Sequence, residues 1–134
     1  MNDETRPIIG EHDLREPEVE ERVRRFLEQG GYSVSSRLER TGPDIIAIDK
    51  DGRKLLVEVK GDRPGHESSP GTKNVDVMTL LGQILHRKGQ GLADDYAIAI
   101  RPVHLRLVKE ALPALKQMSV KVFLVEDTGV QMLE

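Results

Sequence analysis

Asp44, Glu58 and Lys60 are the side chains whose types and spacing could do chemistry. Asp44 follows Gly42 and Pro43, and after thirteen further residues Glu58-Val59-Lys60 interrupts the apolar run "LLVEVK". A carboxylate and an ammonium on an apolar strand are costly unless something pairs with them or uses them. Period-two geometry puts Leu56, Glu58 and Lys60 on one strand face and Leu55, Val57 and Val59 on the other. Residues 44–49 and 53–60, joined by "KDG", read as a hairpin that can bring Asp44 beside Glu58. Two adjacent carboxylates repel, and a divalent cation is one way to satisfy both; oxygen-only ligands favour Mg2+ or Mn2+ over zinc. The plainer reading is a Glu58–Lys60 ion pair on a half-exposed sheet.

The elements that must position these groups are legible in outline. Glu16–Pro17 opens a helix, since proline and acids both suit a first turn. Val19, Val23, Phe26 and Leu27 form its core-facing stripe, and Gly30–Gly31 ends it. "YSVSSRL" (32–38) alternates like a half-buried strand until "RTGP" breaks it. Residues 61–73 are polar and rich in glycine and proline, the composition of a functional loop that is mobile until DNA orders it. A helix follows over 74–89 with Val77, Leu80, Leu81 and Ile84 inward, then a buried strand at 96–100. A helix over 104–118 is expected to bend or break at Pro113, and strands at 120–127 and 130–133 close the sheet. The alternation predicts an α/β fold with a mixed sheet flanked by helices. It forms one domain, 15–134, behind a flexible acidic arm, 1–14.

The chain has 134 residues, enough for a single core, and with 3% aromatics Ile, Leu and Val must supply the packing. Without cysteine it can build no disulfide, thiolate metal site or cysteine nucleophile. No apolar stretch approaches the roughly 20 residues that span a bilayer, and the N-terminus lacks the order of a signal peptide. The expected location is therefore the cytoplasm, with no membrane partner. The net charge of −3 conceals an asymmetry: residues 1–21 hold eight acids against Arg6 and Arg15, leaving the remainder at +3. A DNA partner is compatible with that balance, although charge alone does not select one.

"GPD", thirteen residues and "EVK" together resemble the PD-(D/E)xK nuclease superfamily, which includes restriction endonucleases and Holliday-junction resolvases. "VEERVRRFLEQGGYSV" (19–34) is similar to the family's first helix, with Glu20 eleven positions before Gly31–Tyr32, and Gln83 in "LLGQILHR" matches a glutamine on a later helix. The resemblance implies a restriction-endonuclease-like fold and metal-dependent hydrolysis of DNA. It implies that Asp44, Glu58 and the Val59 carbonyl bind Mg2+ or Mn2+, and that Lys60 orients or activates water. Glu20 would hold a metal-bound water or a second ion, and Gln83 would stand near the active site. Arg87 occupies the position where some relatives carry a tyrosine after that glutamine.

Arg37 and Arg40, beside the "GPD" turn, are candidate phosphate contacts, as are Arg63, Lys73 and Arg87. His12, His66, His86 and His104 lack ligand spacing to one another and read as surface or capping residues. Little of the chain lies outside such a core, so the enzyme should read DNA structure, act with a separate recognition partner or form a homodimer. The alternative is a non-catalytic member of the fold that binds nucleic acid or a partner protein.

Overall fold

The computed structural model describes residues 13–35, 43–64 and 69–133. Helix α1 (Glu16–Gln29) leads to β1 (Ser33–Val34), β2 (Ile45–Ile48) and β3 (Lys54–Val59). Helix α2 (Pro70–Gln90) and β4 (Asp95–Ile100) follow, then a 3-10 turn (Pro102–His104), α3 (Leu105–Gln117), β5 (Val120–Val125) and β6 (Val130–Leu133). Among the described residues, six strands form one sheet and lie in it in chain order. Contacts β1–β2, β2–β3 and β5–β6 are antiparallel, and β3–β4–β5 are parallel. The fold is thus α/β, a mixed sheet flanked by helices. Both parallel connections carry a helix, as crossovers between parallel strands require.

The sheet divides the core in two. On one face α1 sets Val19, Val23 and Leu27 against Ile45, Leu55, Val57, Val59, Ala97, Ala99 and Phe123. Phe26 is half-buried and meets Phe123 edge-on, with ring centroids 5.6 Å apart. On the other face α2 and α3 set Val77, Leu80, Ile84, Val108 and Leu115 against Leu56, Tyr96, Ile98, Ile100, Val122 and Leu124. The apolar stripes expected of both helices are therefore the buried ones, with Leu81 at their margin.

Four expectations change. Strand β1 is only Ser33–Val34, and residues 36–42, with Arg37 and Arg40, lie outside the described residues, as do His12, His66 and residues 1–12 of the expected arm. Leu14, also assigned to that arm, packs against the core, and its N–H donates to Asp62 Oδ2 at 2.8 Å. The expected loop 61–73 is shorter, because α2 begins at Pro70. Ser69 caps it, its hydroxyl accepting from Thr72 N–H at 3.1 Å while the Thr72 hydroxyl accepts from Ser69 N–H at 2.8 Å. Finally, of the bend or break expected at Pro113, the break does not occur: α3 is continuous through this exposed residue, where water can reach the carbonyl its ring leaves unpaired.

Candidate active site

The β2–β3 hairpin does what its sequence predicts. Asp49 Oδ1 accepts from the N–H groups of Asp51 and Arg53 at 2.8 and 2.9 Å, and Gly52 takes φ +84°, closing the turn. The register pairs Ile45 with Val57, so one further step sets Asp44 opposite Glu58 on the α2 face of the sheet. Asp44 is fixed by its own Oδ2, which accepts from Val59 N–H at 2.9 Å. Glu58 is 2% exposed, although its neighbours on that face are Leu56 and the strand partner Ile98.

That environment changes the chemistry of Glu58. Burial, and then the Asp44 carboxylate beside it, push its carboxyl up from 4.5 to about 7. Arg87 opposes the shift, donating from Nε to Glu58 Oε2 at 3.1 Å. The pair therefore sits near the point where one proton, or one bound cation, decides its charge. The folded state holds this proton more tightly than the unfolded chain does. Its stabilising contribution is thus complete below about pH 4.5 and is lost as pH rises through about 7. Glu58→Gln, which mimics the protonated form, should gain thermal stability relative to wild type as pH rises from 5 to 8. Parallel midpoint curves for the two proteins would contradict the assignment.

Lys60 lies one step beyond the strand, its N–H donating to Ala99 O at 3.0 Å. Its ammonium stands 3.3 Å from Glu16 Oε1, in the first turn of α1. Glu20 is one turn further along the same helix face and has polar interactions of its own. Of these two acids, Glu16 makes the ion pair with Lys60. In the sequence Glu16 reads as an ordinary first-turn acid, yet its i, i+4 relation to Glu20 marks the face.

Helix α2 carries the other side. Asp76, Gln83 and Arg87 follow i, i+7, i+11 spacing and so share one stripe. Gln83 is exposed on that stripe, and Arg87 is engaged with Glu58. Arg63, expected at phosphate, instead forms a two-pronged pair with buried Asp76, both contacts 2.8 Å, which holds Asp76 below the usual carboxylate range. Lys73, in the first turn of α2, lines a cleft with His104 and Arg106.

At the C-terminal ends of β3, β4 and β5 a buried network ties the strands together. Arg101 donates to Asp62 Oδ2 at 2.8 Å, Val125 O at 2.7 Å and Asp127 Oδ1 at 3.0 Å. Asp62 Oδ1 is buried without a hydrogen-bond partner. His104 has the expected capping role, its Nδ1 accepting from Arg101 N–H at 3.1 Å, but it is buried, and burial pushes its pKa down. The site's oxygen donors suit a hard divalent cation: two adjacent carboxylates, one kept partly protonated, with a backbone carbonyl between Glu58 and Lys60. Among the described residues, no group of three or more His, Asp or Glu side chains is placed to hold a metal. Nor is any helix among them long and apolar enough to cross a membrane.

No protein-family model matches the chain, and no curated protein matches it by sequence. Among solved structures, it is similar to an XisH family protein from Nostoc punctiforme PCC 73102, at 17% identity and a TM-score of 0.57. That likeness covers 87% of this chain and 98% of the other, and at such low identity it is a likeness of fold.

Proposed function

We propose that the protein is a metal-dependent nuclease of PD-(D/E)xK type, with a restriction-endonuclease-like fold, that hydrolyses DNA phosphodiester bonds. One observation carries the reading: the hairpin register sets Asp44 against Glu58 one step before Lys60, where burial and then the Asp44 carboxylate raise Glu58 to about 7. The XisH family neighbour supports the fold on which the reading depends.

Asp44, Glu58 and the Val59 carbonyl would hold Mg2+ or Mn2+. When bound, such a cation lowers the pKa of water and neutralises charge on phosphate. Glu58 must then release its proton and share or surrender the Arg87 guanidinium, which becomes available to phosphate. Lys60 offers an ammonium to the negative charge that grows on the phosphate in the transition state, held at the strand end by Glu16. Glu20, on the same helix face as Glu16, would hold a metal-bound water or a second ion, and Gln83 would contact substrate from the α2 side. Arg37, Arg40 and Lys73 remain the candidate contacts to the DNA backbone.

The second reading, a non-catalytic binder of nucleic acid or protein, is favoured by the Arg87–Glu58 pair, which partly neutralises the carboxylate without any metal ion. Linear duplex, single-stranded, circular and branched DNA incubated with Mn2+ separates the two. The nuclease reading expects cleavage of at least one substrate by wild type, abolished by chelator and by Asp44→Ala. Absence of cleavage, with DNA binding intact in both proteins, would support the binder.

A further inference from the structure

Helix α2 has two apolar faces, and the fold uses only one. Val77, Leu80 and Ile84 enter the core, while Val75, Met78 and Leu85 stand outside at 59%, 59% and 46% exposure, with Leu92 beyond the helix cap at 41%. Together with Gly82 and Gly89 they occupy positions 75, 78, 82, 85, 89 and 92, an unbroken alternation of three and four residues. That spacing is the seam of a two-helix contact.

Charge has been cleared from this face. None of the twelve exposed residues between 74 and 92 is Asp, Glu, Lys or Arg, in a chain that is 32% charged. The charged residues of that stretch turn inward onto partners: Asp76 to Arg63, Arg87 to Glu58, and Lys88 over the Tyr96 ring at 5.1 Å. The glycines are equally pointed. Glycine is among the poorest helix formers, and a Cβ at Gly82 or Gly89 would meet nothing within 4 Å, so packing within one chain does not require either.

We propose that this face is the two-fold interface of a homodimer in which two α2 helices pack antiparallel. Antiparallel seams set each residue of one series against the other series of the partner. Gly82 then faces Leu85, Gly89 faces Met78 and Val75 reaches Leu92, so each glycine receives a large side chain from the second copy. A parallel pairing would set glycine on glycine and leave two voids. A two-fold contact also brings the same surface to itself, which a charge-free face permits. The helix is about 30 Å long, and a single helix face of that length buries less than the ~800 Å² per partner of a standard interface. The dimer should therefore dissociate in the micromolar range.

The interface is independent of the nuclease reading and is tested without activity. Sedimentation of the full chain should show a monomer–dimer equilibrium, with Leu85→Glu raising the dissociation constant at least ~10-fold. Circular dichroism of this exposed-site variant should match wild type. Met78→Glu and Gly89→Lys should each weaken the dimer, and the double variant should restore it, since the new carboxylate faces the new ammonium. The chain has no cysteine, so oxidation can report orientation: Gly82→Cys mixed with Leu85→Cys should cross-link more readily than either alone. A chain that stays monomeric at about 1 mM, a Leu85→Glu dimer as tight as wild type, or preferential Gly82→Cys self-linkage would overturn the proposal.

Discussion

Lys60→Ala should cut single-turnover DNA cleavage at least ~100-fold, the scale for losing one preorganised electrostatic group, while leaving Mn2+ affinity unchanged or slightly tighter. The expected split follows from position. Asp44 is held by Val59 N–H and Glu58 by its place in β3, so neither carboxylate depends on the ammonium for its geometry. Removing a positive charge near a cation site disfavours cation binding in no direct way. As a mere ion pair with half-exposed Glu16, Lys60 would contribute no more than about 1 kcal/mol to stability and nothing to cleavage. Glu58→Ala should behave differently, losing cation and cleavage together. Lys60→Ala cleaving at the wild-type rate would reduce "LLVEVK" to a strand with a salt bridge.

The next residue carries the largest structural prediction. Gly61 is buried where the start of α1 crosses the end of β3. A Cβ there would lie 2.4 Å from Glu16 N, 2.6 Å from Arg15 C and 2.9 Å from Leu14 O. All three are backbone atoms, so no side chain can swing aside. The helix start must move, and with it the paired hydrogen bonds between Leu14 and Asp62 and the Glu16–Lys60 contact. Overpacking a well-packed site commonly costs 1–3 kcal/mol, and because main chain on both sides must shift, Gly61→Ala should cost about 3 kcal/mol or more. A urea titration measures it. A change below about 0.5 kcal/mol, the range of an ordinary surface substitution, would show that this crossing does not fix α1 on the sheet.

What the sequence disclosed and what it hid divide along chain distance. The Asp44–Glu58 juxtaposition was legible because a short turn fixes the hairpin and period two fixes the face. The core stripes of α1 and α2 were legible for the same local reason. The pairs Arg87–Glu58, Arg63–Asp76 and Arg101–Asp62 were not, since each depends on how a helix or strand end crosses the sheet. Arg63 and Arg87 looked like free cations because their buried acids are remote in sequence or sit on another element. Asp76 in "NVDVMTLL" was the available clue, a lone acid in an apolar helical run that needs a partner. The Ser69–Thr72 capping box was also readable, but the glycines and prolines around it gave the segment the composition of a loop.

Whether Asp44 and Glu58 share one divalent cation is read directly by proton-linked calorimetry. With Glu58 titrating near 7, Mn2+ binding at pH 7 should expel about half a proton per site, falling towards none at pH 8.5. The release is read from the difference in heat between two buffers of unlike ionisation enthalpy. A shared site should give weak single-site binding with that pH dependence, lost in both Asp44→Ala and Glu58→Ala. Mn2+ binding in Asp44→Ala with wild-type affinity and wild-type proton release would contradict it.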